Sequence, residues 1–452
     1  MPNIDRERIN SLMKREEARF IAERPKSQAL FEQAKSTLIG GVPMQWMVVW
    51  ASPFPIFAKE AHGAHITDVD GHRYLDLCLG DTGSMFGHSP AVVAEAVAEQ
   101  VRQGITLMLP TEDSVWVGEE LARRFGLPYW QVAMTATDAN RFALRFARKI
   151  TGRKLILVFN NCYHGTVDEA LATVRDGVVT ARAESLGSPV DLALTTRVVE
   201  FNDVEALEKV LSPRDVACVL CEPALTNIGI VLPDPGYHEA LREITRRHGT
   251  LLIIDETHTI CAGPGGYTRA FDLDPDMLTL GKPIASGVPV AVYGFCQEVA
   301  EKVQVLTAAP GTDVAGIGGT LSGNALALRA MRATLENVMT DAAYDRMISL
   351  AERLTDGVEK VIHDNRLPWH VTRLGARVEY RFQPNPPSNG AEAELGGDLE
   401  LDRLVHLYCL NRGVLVTPFH NMLLISPDTT AEDIDLHTKV FAECVGELVE
   451  RC

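Results

Sequence analysis

No apolar run in the sequence approaches the roughly 18 residues that a membrane-spanning helix needs, so no such helix is expected. The opening residues, MPNIDRERINSLMKREEARF, are charged throughout and lack the apolar core of a signal peptide, so a cytoplasmic protein is expected. Positive charge is in short supply. With 43 Lys and Arg against 60 Asp and Glu, the formal net charge is −17. Such a field repels nucleic acid and anionic membranes, and neither is expected as a partner. Cysteine pairs with zinc-binding spacing are missing too. The nine cysteines, an odd number, are scattered along the chain, which points to free thiols in a reducing compartment and to no metal site. One C-x-x-C, Cys218 to Cys221 in ACVLCE, lies in a strand-like run where residues three apart face opposite sides, and it reads as two core thiols. No G-x-G-x-x-G follows a candidate strand, which argues against a nicotinamide-binding fold.

What the sequence does have is ordinary globular material. It is 46% hydrophobic and 23% charged, and 452 residues allow two or three domains. The first 40 residues carry helix-like charge patterning that Gly40-Gly41 breaks. In DVDGHRYLDL, Asp70-Gly71 supplies a turn between two short extended runs, which predicts a hairpin. AVVAEAVAEQV and SVWVGEELARRF then repeat apolar residues at helical spacing. Between about 130 and 295 come KLILVF, RVVEF, VACVLCE, TLLIID and VAVYGF, mostly separated by segments long enough for a helix. Runs without polar alternation predict strands covered on both faces, hence a mainly parallel sheet with crossover helices. The tail from about 336 starts with a long amphipathic stretch and continues through strand-like RVEYRF, a polar loop QPNPPSNGAEAELGGD and a helix–strand–helix pattern.

Chemistry is expected beyond the carboxyl ends of such strands. Asp255 stands at one, in LLIIDETHT, where a helix N-cap is the bland alternative. Lys282 follows 27 residues later in TLGKPIASG, among small and apolar residues. Desolvation there makes a lysine a neutral, carbonyl-reactive amine, whereas a lone lysine on a Gly-rich turn is more often a surface residue. A pyridoxal phosphate site needs a lysine to bond its aldehyde, an acid facing its ring nitrogen, an aromatic face and amides for the phosphate. The last two have candidates in Tyr163 of NNCYHGTVDE and in Thr135, Ala136 and Thr137, which open an amphipathic helix. Packing is the plain alternative for Tyr163, and an N-cap by Thr135 or Thr137 is the plain alternative for the helix start.

GGV (40–42), DVDGHRYLDL (68–77), GHSP (87–90), TATDAN (135–140), YHG (163–165), EP (222–223), DETHT, LGK (280–282) and GGTLSGN (318–324) occur in an order and spacing that resembles the class III aminotransferases of pyridoxal phosphate fold type I. The likeness runs over most of the chain and lies with the branch of glutamate-1-semialdehyde aminomutase and β-phenylalanine aminotransferase. It implies an α/β fold with a large, mainly parallel, seven-stranded-type sheet domain at 68–335. It also implies a small α+β domain at 336–452, joined by an N-terminal segment at 1–67. By the same resemblance, Lys282 bonds pyridoxal 5'-phosphate and serves as the base, Asp255 pairs with the ring nitrogen, and Tyr163 and Thr257 take the two ring faces. His258 lies near the phenolic oxygen, Ala136 and Thr137 supply phosphate amides, and Glu222 stands on the substrate side. Thr320 reaches the phosphate of the other subunit of a homodimer with shared active sites. The implied activity is a transaminase moving an amino group from a donor to an oxo acid or aldehyde, the alternative being an aminomutase or racemase on the same scaffold.

Several positions depart from the family pattern. Ala136 stands where a glycine is usual, which is tolerable only at negative φ, Asp138 replaces glutamate, and Thr257 replaces valine. The substrate-carboxylate arginine is missing from both of its regions. GGVPMQWMVVW has Met47 near the first, and VTPFHNMLLIS has Phe419 and His420 at the second. Trp46, Trp50 and Phe54 form either an apolar substrate wall or ordinary core. The expectation is a substrate without a carboxylate beside the reacting carbon, with Arg373, Arg377 and Arg412 as the other carboxylate-binding candidates.

Overall fold

The computed structural model describes residues 4–308, 311 and 314–449, so the outermost residues of the expected terminal segments, 1–3 and 450–452, lie outside the described residues. The chain divides into two compact units. One takes in the residues up to Pro90, Ala342–Pro386 and the residues from Gly396 on; the other takes in Ala91–Asp341 and Pro387–Leu395.

In the second unit, seven strands form one sheet: β1 (Tyr129–Ala133), β2 (Leu155–Phe159), β3 (Thr196–Val199), β4 (Val216–Cys221), β5 (Leu251–Asp255), β6 (Met277–Leu280) and β7 (Ala291–Phe295). Their order is β1-β7-β6-β5-β4-β2-β3. β7 runs antiparallel to both of its neighbours, and the remaining adjacent pairs are parallel. β2 and β4 are buried along their whole length, as unbroken apolar runs require. Cys218 and Cys221 are buried free thiols in β4. The sequence reading did not single out β1 or β6. YWQVA alternates apolar with polar residues less clearly, and MLTL is only four residues long.

Helix α1 (Ala136–Thr151) begins right after β1 and lies across the sheet against β7, β6, β5 and β4. Its apolar stripe of Ala139, Phe142, Ala143, Phe146 and Ala147 is buried in the core. The parallel register sets Asp255 beside Thr279 and Ile254 beside Cys221, so the ends of β4, β5 and β6 come out level.

In the first unit the hairpin predicted at Asp70-Gly71 forms between His65–Asp68 and Arg73–Asp76. A second sheet pairs His370–Leu374, Arg377–Arg381 and Met422–Leu424. The polar stretch expected as a loop contains a helix, Gly390–Leu395, and that segment belongs to the second unit. Asn389 caps it by accepting from Glu392 N at 2.9 Å, while Glu392 accepts from Ser388 N at 2.8 Å. This reciprocal pairing is what lets so polar a stretch turn helical. Among the described residues, no helix is long and apolar enough to cross a membrane.

Candidate active site

β5 ends on Asp255, which is 3% exposed, and a carboxylate so buried must be bonded to persist. Its Oδ2 accepts from Asn140 Nδ2 at 2.8 Å and lies 3.0 Å from His164 Nδ1; its Oδ1 accepts from Thr257 N at 3.1 Å. Burial works against ionisation of Asp255, but His164, Thr257 and Asn140 outweigh it and hold the carboxyl down at about 2. Burial likewise works against a charged His164, and Cys162 and Asp255 together raise it well above its ordinary value. Asn140, on α1, also accepts from Thr279 Oγ1 at 2.6 Å, so one amide ties β5, β6 and the helix together. Neither His164 nor Asn140 was assigned a role from sequence. Both lie inside recognised landmarks, YHG and TATDAN, which was the available signal.

The neighbouring acid, Glu256, serves the fold. Fully buried, it accepts from Thr259 Oγ1 at 2.5 Å, Tyr267 N at 3.1 Å and Thr268 N at 2.5 Å. These bonds fold the chain after β5 back on itself. They leave Thr257 and His258 at the strand end.

Lys282 follows β6 through Gly281, is half-buried, and has φ of 50°. An L-residue in the left-handed region costs roughly 1–2 kcal/mol, and such strain gathers at functional positions. A Cβ on Gly281 would sit 3.0 Å from Ala136 Cβ and 3.2 Å from its backbone N, so only glycine lets the lysine turn pack this closely on the start of α1. Lys282 Nζ lies 2.6 Å from His258 Nε2.

The first turn of α1 supplies free backbone N–H groups. Thr135 is its N-cap, accepting from Asp138 N at 3.2 Å and donating to Asp138 Oδ2 at 2.9 Å. Ala136 is not among the residues of positive φ, so the alanine is accommodated in the way the sequence required. The YHG loop packs onto this turn: Thr137 Oγ1 accepts from Thr166 N at 3.1 Å, and a Cβ on Gly165, at φ +75°, would come within 2.1 Å of that oxygen. Tyr163, on the same loop, is half-buried. Glu222, at the end of β4, is buried and accepts from the Thr226 hydroxyl. Thr320 is exposed.

The candidate substrate residues belong to the first unit. Trp46 meets Phe419 edge-on with ring centroids 5.3 Å apart, and both are exposed, as is Met47. His420 is buried with Nδ1 2.9 Å from Glu379 Oε1. Phe54 is core, packed on Phe20 at 4.9 Å, and Trp50 is partly buried against the same cluster. Arg412 pairs with Glu16 at 3.0 Å and Arg373 with Glu352 at 3.2 Å, while Arg377 is buried and donates to Thr82 Oγ1 at 2.9 Å.

These residues fit a pyridoxal phosphate. Thr257 Oγ1 and His164 Nε2 are buried with no hydrogen-bond partner among the described residues, on either side of an anionic Asp255. Gly165 and Gly281 both approach the first turn of α1, and the Lys282 amine follows directly after Gly281.

Comparison with known proteins agrees with that reading. Residues 46–445 match the family described as aminotransferase class-III. The chain is 34% identical to the glutamate-1-semialdehyde 2,1-aminomutase of Chloroflexus aggregans, over 94% of this chain and 98% of that one. A crystal structure of a glutamate-1-semialdehyde-aminomutase from Pseudomonas aeruginosa PAO1 superposes with a TM-score of 0.97 at 51% identity, covering 98% of this chain and 99% of that one. A lysine-to-alanine variant of that aminomutase, in complex with PMP, gives 0.96. An omega-transaminase from Sphaerobacter thermophilus gives 0.87 at 28% identity, covering 95% and 99%. With a cofactor site assembled at the level ends of β4, β5 and β6 and a match across most of its length, this chain belongs to the class-III aminotransferases of pyridoxal phosphate fold type I, and its cofactor is pyridoxal 5'-phosphate.

Proposed function

We propose that this chain is a pyridoxal-phosphate-dependent aminomutase, exchanging an amino and an oxo group between neighbouring carbons of one small substrate of the glutamate 1-semialdehyde class. The observation that carries this is 51% identity over 98% of the chain to the Pseudomonas aeruginosa aminomutase, supported by 34% identity to the aminomutase of Chloroflexus aggregans. The expectation of a transaminase, with separate donor and acceptor, is corrected by the same relatives. The reason it arose is physical. Lys282, Asp255 and the phosphate turn serve both reactions, which differ in whether the substrate leaves midway, and no strand-end residue encodes that.

Asp255, held anionic by His164, Asn140 and Thr257, would pair with a positive ring nitrogen. Bound there, the cofactor supplies an electron sink that eases removal of a proton beside the amino group. Lys282 Nζ takes that proton and returns it. Tyr163 and Thr257 would hold the ring, Thr135, Ala136 and Thr137 would hold the phosphate, His258 would stand near the phenolic oxygen, and Glu222 would face the substrate.

The missing arginine suits this substrate class. Glutamate 1-semialdehyde carries its one carboxylate away from both reacting carbons, so no carboxylate clamp is needed beside them. A cytoplasmic homodimer, with Thr320 reaching the partner's phosphate site, completes the reading; the cysteines among the described residues are all free thiols, which supports a reducing compartment.

The test supplies glutamate 1-semialdehyde to the loaded enzyme with no oxo acid present. Many turnovers to 5-amino-4-oxopentanoate are expected. Turnover that stops after one equivalent until an oxo acid is added would sink the aminomutase reading.

A further inference from the structure

His258, expected near the phenolic oxygen of the cofactor, lies against the Lys282 amine, and its surroundings give that contact a meaning. β5 and β6 are parallel neighbours in which Asp255 lies beside Thr279. His258 is three residues beyond the first and Lys282 three beyond the second, so the register itself brings the two side chains together. The resulting Nε2–Nζ distance is 2.6 Å, and both residues are half-buried.

Two further features keep the pair in place. On the His258 side, the bonds from Glu256 to Thr259, Tyr267 and Thr268 lock the turn that carries the ring. On the Lys282 side, the left-handed backbone is followed by Pro283, which narrows its conformational choice further. At 2.6 Å two nitrogens cannot both carry the proton that lies between them. One donates while the other accepts.

We infer that His258 is a positioning residue for Lys282 that also accepts its proton: the N–H bond of the Lys282 ammonium breaks as an N–H bond forms at His258 Nε2. The pair keeps one positive charge throughout, carried first by the ammonium and then by the imidazolium. Lys282 is thereby returned to the neutral amine between proton transfers, and the proton gains a route to exchange with solvent. The inference rests on Lys282 being the lysine that bonds the cofactor. It does not depend on whether the substrate rearranges or is exchanged.

Glutamine at 258 keeps a hydrogen bond to a cofactor oxygen but cannot take up a proton, so His258→Gln separates the two roles. With substrate deuterated at the reacting carbon, the wild-type product should lose nearly all label to solvent, whereas His258→Gln, in which the label is only shared among the three equivalent ammonium protons of Lys282, should keep up to about a third of it and lose about 100-fold in kcat with little change in KM. A readout free of catalysis uses cofactor-free protein with 15N-labelled histidine. His258 Nε2 should show the signal of an unprotonated acceptor ring nitrogen, and Lys282→Ala should shift it. Wild-type label loss and kcat in His258→Gln, or a His258 signal indifferent to Lys282→Ala, would overturn the inference. Failure of the underlying reading looks different: Lys282→Ala would then still bond the cofactor covalently, as followed by its visible absorption.

Discussion

Asn140 offers a sharp test of what holds the cofactor end together. Its amide donates to Asp255 Oδ2 at 2.8 Å and to the His164 carbonyl at 3.2 Å, and accepts from Thr279 Oγ1 at 2.6 Å. Asn140→Ala removes a hydrogen bond to a charged group, worth roughly 2 kcal/mol, and leaves a buried Thr279 hydroxyl unsatisfied for about as much again. The expected loss is about 4 kcal/mol, or about 10 °C in the melting midpoint of the cofactor-free protein. Asn140→Asp keeps the volume and the acceptor for Thr279, so packing alone predicts a mild variant. Electrostatics predicts otherwise: two carboxylates 2.8 Å apart repel by about 6 kcal/mol at an effective dielectric constant of 20. A shared proton relieves that repulsion. The pair's folded pKa is then raised, which means its stability is greatest at low pH and is lost as the pH rises. The Asp variant's deficit should therefore shrink by about 1.4 kcal/mol per unit as the pH falls from 8 to 6, while the Ala variant's stays flat. Melting midpoints at both pH values, with cofactor half-saturation measured alongside, check this. An Asp variant as stable as wild type at pH 8, or one whose deficit ignores pH, would refute the reasoning.

Two further perturbations have clear expectations. Gly165→Ala places a Cβ at φ +75° and 2.1 Å from Thr137 Oγ1, so the YHG loop must lift off the phosphate turn. A cost of about 2 kcal/mol falling on cofactor binding raises Kd about 30-fold, and equilibrium dialysis showing an unchanged Kd would contradict it. Burial pushes the Asp402 carboxyl up to about 6 even though Asn421 donates to it at 2.8 Å. With the folded value above the ordinary 3.8, this group makes the protein less stable by up to about 3 kcal/mol above pH 6, a deficit lost as the pH falls toward 3.8. Asp402→Asn should accordingly raise the melting midpoint at pH 8 and leave it unchanged at pH 4, and equal shifts at both would disprove the burial argument.

Much of the fold was legible because its signals are local. KLILVF, VACVLCE and TLLIID are unbroken apolar runs, and each became a strand of the large sheet. Thr135 before an amphipathic stretch became the N-cap of α1. DVDGHRYLDL became a hairpin. Short or mixed segments such as MLTL were not legible, since four residues carry too little periodicity. The helix at Gly390–Leu395 hid in a polar stretch because its capping depends on side chains.

The sequence by itself determined that an acid and a lysine end neighbouring segments and that the chain carries the landmarks of a pyridoxal phosphate family, because landmark order and strand-end position are properties of the chain. Tertiary structure decided what surrounds them. Asn140 and His164 meet Asp255 from 115 and 91 residues away. His258 meets Lys282 because parallel pairing puts equal offsets side by side. Phe54 went to the core while Trp46 stayed exposed. Which side chains share a proton, a carboxylate or a core depends on sheet register and packing across the chain, and no local pattern carries that information.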